Sequence, residues 1–409
     1  MFISRSNSAM KKMYVIANWM QDKALSGGDH IFIELVKRWQ HKIEITLHVS
    51  REGLDICNRE GLSTIPKLVW ASDHMKKSGY LVDALYRTGV SIRKAISMDT
   101  SSGDIVLSSS DFWPDFVPAF LLKIKNPKIH WIAGFYLFAP KPLTKESHYR
   151  GKHFLTGLLY WLSQLFSYYF IRKFADTVFI TSQPDMNRFV SSRMPPNQVI
   201  VIQGGVNLEP SKIYLNSGQV ISPENRKYHA CFVGRFHSQK GVLELIQIWK
   251  GVCKKIPNAC LAMIGVGPLE QEVKDKVKQQ NLQNNIDFFG FMVGDDKYNI
   301  FKQSRVVVHP AIYDSGGMAA AEAMAWGLPG VGFDLKALKS YYPQGMIKTR
   351  CFDNCEFANN IIELLSNHQH YQTISQEALL LTRERWDWNI RAKEIYAQVM
   401  DNIKRQTSS

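Results

Sequence analysis

HPAIYDSGGMAAAEAMAWGLP, residues His309 to Pro329, is the stretch on which the fold turns. It sets Asp314 and Glu322 eight residues apart around a Ser-Gly-Gly turn that opens a helix, expected over Met318 to Trp326. Gly316 and Gly317 allow the backbone to come close to a ligand, and a helix beginning at Met318 aims free N–H groups and the positive end of its dipole at an anion. Upstream lies GRFHSQKG, Gly234 to Gly241, in which Arg235 and Lys240 stand five residues apart between a strand and a helix. A planar guanidinium and a compact ammonium in such a loop match the countercharge that a diphosphate requires. Taken singly, each segment also fits a plainer reading, the first as an Ala-rich buried helix after a loop and the second as a solvated helix start.

Outward from these segments, short apolar runs alternate with helical patterns. One series is Met13–Ala17, Ile43–Val49, Asp104–Ser108, Ile129–Ala133, Thr177–Thr181 and Val199–Ile202. A second is His229–Val233, Cys260–Ile264, Ile286–Phe289, Val306–His309 and Gly330–Phe333. Such alternation marks parallel α/β organisation. A chain of 409 residues exceeds one ordinary core, and βα units of about 30 residues fill it with two doubly wound sheets. Gly-Gly, Pro and Ser cluster between Gly204 and Pro223, which places the boundary there. The expected division is a flexible N-terminus at 1–11, a first domain at 12–205, a hinge at 206–223, a second domain at 224–385 and a closing helix at 386–409. Ligands of such sheets bind outside the carboxyl ends of the strands.

Together these segments resemble the donor half of a GT-B glycosyltransferase of the retaining family 4 type, whose signature is Glu, seven residues, Glu, preceded by an Arg and a Lys in a strand-to-helix loop. Asp314 takes the first acidic position and Glu322 the second. The resemblance runs over nearly the whole chain. SGGDHIFIEL (Ser26 to Leu35) looks like the family's N-terminal Gly-Gly loop, IQGGVN (Ile202 to Asn207) like its hinge and WDWN (Trp386 to Asn389) like the segment feeding the last helix. It implies an α/β fold of two Rossmann-like doubly wound parallel-sheet domains facing across a cleft. The first would take the acceptor and the second a nucleotide-diphosphate sugar.

The resemblance also implies roles. Arg235 and Lys240 would stabilise the departing diphosphate, Glu322 would accept hydrogen bonds from the ribose hydroxyls, and Asp314 would face the donor sugar. The amides of Gly316, Gly317 and Met318 would lie nearby. Gly28, with Gly27, would allow close approach to the diphosphate or acceptor, with a tight turn as the plainer alternative. Gly234 opens the Arg235 loop, and Gly265, in GVGPLE, reads as a strand-end loop beside the nucleotide because that motif lacks the third glycine of a dinucleotide fingerprint. Phe289 to Met292 would lie near the base. Asp314 departs from the usual Glu by one methylene. A second departure is Gly134-Phe135-Tyr136 where many members carry a His after the strand; His130 is expected to be buried within that strand. No Asp-x-Asp triplet occurs, so no metal and no cofactor beyond the donor are expected.

Composition bounds the rest. Hydrophobic residues at 45% and charged residues at 21% describe a globular chain and exclude a disordered one. The six cysteines are scattered without a Cys-x-x-Cys pair, which fits a reducing, cytosolic setting. Of the net charge of +14, residues 1–205 carry 26 Lys and Arg against 16 Asp and Glu. No nucleic-acid motif accompanies this excess, so nucleic acid is not expected and an anionic membrane surface or lipid phosphate is favoured. Phe154 to Phe170 has 17 residues without a charge and basic flanks at Lys152, Arg172 and Lys173. At about 26 Å of helix it reads as a core helix, an interfacial membrane helix or, third, a spanning segment. The function expected is retaining transfer of a hexose-type sugar to a glycan or lipid-linked acceptor in polysaccharide or glycoconjugate biosynthesis, in the cytoplasm or at the cytoplasmic face of a membrane. The alternatives are a nucleotide-sugar 2-epimerase of the same fold and a non-catalytic basic protein that binds nucleic acid or sugar.

Overall fold

The computed structural model describes residues 11–20, 25–72, 79–144, 149, 151 and 154–408. All but the last residue of the expected loose start at 1–11, and the Lys152 flank, lie outside them. Two compact units form, one from the chain up to Leu143 with Tyr149–Ile202 and everything from Ala392 onward, the other from Gln203–Arg391.

The first unit holds strands β1 (Lys12–Ala17), β2 (Glu44–Ser50), β3 (Lys67–Ala71), β4 (Ile105–Ser108), β5 (His130–Gly134), β6 (Thr177–Ile180) and β7 (Val199–Val201). They form a parallel seven-stranded sheet in the order β3-β2-β1-β4-β5-β6-β7. Its helices are α1 (Gly27–Trp39), α2 (Arg51–Arg59), α3 (Tyr80–Ser97), α4 (Trp113–Lys125), α5 (Phe154–Phe174) and the short α6 (Met186–Phe189). β4 and β6 are buried at every residue, as strands covered on both faces must be. α1 starts at a capping box, in which Ser26 Oγ accepts the Asp29 N–H and the Asp29 carboxylate accepts the Ser26 N–H. α1 and α2 link strands on one side of β1, and α3, α4 and α5 link those on the other. The chain therefore reverses its direction across the sheet between β1 and β4.

The second unit repeats this plan with β8 (Tyr228–Val233), β9 (Leu261–Ile264), β10 (Ile286–Gly290), β11 (Ser304–His309), β12 (Gly330–Phe333) and β13 (Met346–Thr349), ordered β10-β9-β8-β11-β12-β13 and all parallel. Its helices are α7 (Glu209–Asn216), α8 (Val242–Lys255), α9 (Glu270–Gln279), α10 (Gly294–Lys302), α11 (Met318–Met324), α12 (Lys336–Tyr341), α13 (Asn354–Ser366) and α14 (His368–Arg385). Here the reversal falls between β8 and β11. Trp249, Phe232, Phe333 and Phe357 fill one side of the sheet, while Trp326, Tyr342 and Trp386 fill the other. The last helix, α15 (Trp388–Ser408), begins in the second unit, and from Ala392 it belongs to the first. There Ala392 C=O accepts Trp39 Nε1–H at 2.9 Å and Asn402 Nδ2 donates to Asn197 C=O at 2.9 Å.

Three details differ from the sequence reading. Strands β3 and β13 were not anticipated. The helix expected to reach Trp326 stops at Met324, where Ala325 and Trp326 complete a turn ending at Gly327 with φ +82°. The stretch 206–223 also holds α7 rather than hinge alone.

Candidate active site

The loops that leave β8 and β11 lie side by side, because these strands are neighbours at the reversal point of the second sheet. The Gly234–Gly241 segment fills the β8 loop. Gly234 donates its N–H to Ile264 C=O at 3.0 Å, Arg235 follows exposed at the surface, and Lys240 ends a 3₁₀ turn over Ser238–Lys240. Gly241 then adopts φ +63° at the start of α8. A Cβ there would stand 1.9 Å from Pro310 O, so only glycine permits this approach. Ile312 N–H donates to Gln239 C=O at 2.9 Å across the same gap.

This seam brings Lys240 and Asp314 together. Lys240 Nζ lies 2.5 Å from Asp314 Oδ2, with both side chains largely buried. The other carboxylate oxygen accepts the Ser315 N–H at 2.9 Å and the Gly316 N–H at 3.4 Å. His309 Nε2 stands 3.5 Å from Oδ2, long for a hydrogen bond. Burial pushes the Asp314 carboxyl up, but the Lys240 charge and the adjacent His309 pull harder and hold it well below the ordinary 3.8. The pair holds the Asp314 carboxylate against the Lys240 side chain.

Around the Ser-Gly-Gly turn, Gly316 lies against the Tyr341 ring. Gly317 has φ +89°, and a Cβ on it would come within 2.5 Å of His309 Nε2. Met318 opens α11 with its sulfur against Gly204. Tyr342 Oη accepts the Ala321 N–H at 3.1 Å and donates to Gly317 C=O, which satisfies part of the helix start. Glu322, further along α11, pairs with Lys297 of α10 at 2.7 Å. Gly265 closes the arrangement at the end of β9. Its N–H donates to Gly290 C=O at 2.7 Å, and a Cβ on it would meet Gly234 O at 1.9 Å. Phe289 stacks edge-on to Tyr228, and Phe291 is exposed.

All the candidate residues of the second unit therefore gather at the carboxyl ends of β8, β9 and β11. Gly28 belongs to the first unit, at the start of α1, where a Cβ would press 2.6 Å from the Tyr136 ring. His130 is buried in β5, bonded through Nδ1 to Gln406 and through Nε2 to Thr177. The reversal point of the first sheet holds residues that spacing did not reveal. Asp115 accepts the Trp19 N–H at 2.9 Å, Ser109 Oγ–H at 3.1 Å and Ser110 Oγ–H at 2.5 Å. Burial nevertheless pushes it up to about 7, and Asp111, which accepts from Gln164, up to about 6. Tyr136 Oη is buried beside them and has no partner among the described residues. Lys297 and Tyr342 were likewise missed, since a cation or a phenol on a neighbouring helix leaves no mark at a fixed interval. Among the described residues, no three His, Cys, Asp or Glu side chains gather as a metal site.

The fold is of the GT-B type found in glycosyltransferases, and residues 217–380 match the family model for glycosyl transferases group 1. A similar curated protein is an uncharacterized glycosyltransferase of Methanocaldococcus jannaschii, 28% identical over 52% of this chain and 57% of that one. The poly(glycerol-phosphate) alpha-glucosyltransferase of Bacillus subtilis is 22% identical over 40% of this chain and 25% of its own. The alpha-monoglucosyldiacylglycerol synthase of Acholeplasma laidlawii is 23% identical over 50% and 51%. The chain thus spans about half the length, or less, of these curated relatives. Among solved structures, Anabaena HepE in complex with UDP and glucose superposes with a TM-score of 0.71 at 15% identity, covering 96% of this chain and 99% of that one. A UDP-forming alpha,alpha-trehalose-phosphate synthase of Burkholderia vietnamiensis gives 0.72 at 12% identity over 98% and 99%.

Proposed function

We propose that the chain transfers a hexose-type sugar, with retention and without a metal, from a nucleotide-diphosphate sugar to a glycan or lipid-linked acceptor. The observation that carries this reading is the Lys240–Asp314 pair, locked beside the Gly316-Gly317 turn at the reversal point of the second sheet. When the bond from the anomeric carbon to the diphosphate oxygen breaks, negative charge gathers on the departing phosphate. Lys240 and Arg235 would receive that charge without reorganising. Asp314, held anionic, orients Lys240 and offers its second oxygen region to donor hydroxyls; Glu322 takes the ribose hydroxyls once Lys297 yields part of its hold. The acceptor oxygen attacks the same face of the sugar, and its proton passes to the departing phosphate.

UDP-sugars are the first donors to examine, since HepE was solved with UDP and glucose. Poly(glycerol phosphate) and diacylglycerol are the acceptors that the names of the Bacillus and Acholeplasma relatives suggest. Calorimetry of UDP, GDP and ADP on the purified chain, followed by turnover of the matching sugars, tests the reading. Binding of a nucleoside diphosphate that Lys240→Ala and Arg235→Ala each weaken at least about tenfold supports it. Absence of binding, or donor isomerisation without any acceptor, sinks it, the latter in favour of an epimerase. The setting proposed is the cytoplasm or the cytoplasmic face of a membrane.

A further inference from the structure

No helix among the described residues is long and apolar enough to cross a membrane, yet α5 is inside out. The residues it turns into the first unit are Gly157, Gln164, Ser167 and Ile171, at the three-, four- and seven-residue spacing of one helix face. Gln164 is satisfied there, donating to Asp111 Oδ2 at 2.9 Å and Leu137 C=O at 2.8 Å and accepting the Ala139 N–H. The opposite face carries Leu155 (64% exposed), Leu162, Leu165, Phe166 and Tyr169 (58%). A helix covering a soluble core shows the reverse polarity.

α3 is inverted in the same way. It buries Asp83, Arg87, Thr88 and Ser91 and exposes Leu81, Val82, Leu85 and Ile96. α4 joins the two helices into one layer, since Ser91 Oγ–H donates to Pro114 C=O at 2.9 Å and Phe120 packs on Phe170 at 4.9 Å between ring centres. The outer side of this layer is therefore broadly apolar, which monomeric soluble surfaces seldom are.

Charge says what covers it. On α3, α4 and α5 both carboxylates, Asp83 and Asp115, are buried, and every charged residue that is exposed is a cation: Arg93, Lys94, Lys125, which lies 3.8 Å from the exposed Asp99 just past α3, Arg172 and Lys173. They fall in the closing turns of helices that run in the same direction, so the cations collect toward one end of the apolar layer. Lys173 Nζ lies 5.8 Å from the Tyr169 ring and 5.3 Å from the Phe174 ring, with its stem over aromatic surface and its charge at the edge. A second copy packed with its helices parallel to these would set the cations against each other, whereas an anionic surface would meet them all at once.

We infer that the α3–α5 layer of the first unit docks on a lipid bilayer bearing anionic headgroups, its Leu and Phe side chains entering the headgroup boundary and its cations meeting lipid phosphates. This deepens the proposed lipid-linked acceptor, and it is tested apart from donor chemistry. Flotation of the full chain with phosphatidylglycerol and with phosphatidylcholine vesicles should favour the anionic ones, and the preference should fall with salt. Each cation near such a surface strengthens binding about fivefold, so Arg172→Gln with Lys173→Gln should cost roughly 25-fold on phosphatidylglycerol alone. Leu162→Ser with Phe166→Ser should abolish binding to both. Thermal unfolding of the same samples reports whether the first unit still folds, since Phe166 also packs on Trp113 and Phe116, and UDP calorimetry reports the donor site: an unchanged unfolding curve and UDP affinity with lost flotation support the docking face, whereas intact flotation without UDP binding sinks only the proposed reaction. Docking is overturned if the wild-type chain ignores both vesicles, if the substitutions leave flotation unchanged, or if light scattering finds a dimer that Leu162→Ser with Phe166→Ser splits.

Discussion

The two sheets reverse direction in the same way, and each places an aspartate at its reversal point, but the two carboxyls are held in opposite states. In the second unit Asp314 meets Lys240 at 2.5 Å and stays ionised. In the first, Asp115 meets one amide and two hydroxyls, and burial pushes it up to about 7. Topology therefore supplies a location, and the neighbouring charge decides what that location can do. One reversal point presents a carboxylate locked to a lysine; the other offers a carboxyl that burial pushes up to about 7, beside a phenol without a partner among the described residues.

Removing the cation should break the contrast most sharply. In the proposed reaction Lys240→Ala would take away a donor to the departing phosphate, so turnover should fall by about a hundredfold or more, read as kcat with saturating donor. It also strands Asp314, and thermal unfolding of the second unit should show a loss of about 3–5 kcal/mol. Lys240→Met with Asp314→Asn should recover most of that stability but none of the turnover.

For the first unit the comparison is sharpened by pH. The folded Asp115 holds its proton to about 7 while the unfolded chain releases it near 3.8. Between these values the folded state binds more protons, so stability falls as pH rises through the window and the penalty is complete above it. Asp115→Asn should flatten this slope, by on the order of 4 kcal/mol between pH 4 and pH 8. Unfolding curves of the two proteins that stay parallel across that range would contradict the assignment. Asp314 has the opposite sign: its contribution is present at neutral pH and disappears only in strong acid, below the ordinary carboxylate range.

Smaller effects test the rim. Glu322→Ala should weaken nucleoside diphosphate binding about tenfold, and Lys297→Ala, which frees Glu322, should change it by no more than about threefold; calorimetry with UDP and with UMP separates ribose from phosphate contributions. EDTA should leave turnover within error of the untreated enzyme, and its abolition would refute metal independence.

Much of this was legible in the sequence because parallel sheets bury their central strands on both faces and so write them as continuous apolar runs. The strands overlooked, β3 and β13, are both at sheet edges. Lys67, Leu68 and Val69 lie partly or largely exposed, and MIKT has only two apolar residues before Lys348, so neither segment stands out as an apolar run. At the site, spacing located the loops because glycines and charges recur within a few residues of a strand end. What spacing could not convey is which side chains meet across elements. Lys297 reaches Glu322 from another helix, and Asp115 owes its state to burial, which is a property of packing rather than of order along the chain. The inversion of α5 was equally hidden, since a segment apolar all round does not declare which face is inward.

With no room for even a methyl group between Gly241 and the carbonyl of Pro310, the segments 234–241 and 309–317 cannot slide past one another. They should behave as a single cassette during any closing motion, and a chimera that imports one of them from a relative with a different donor preference should misfold locally unless it imports the other as well.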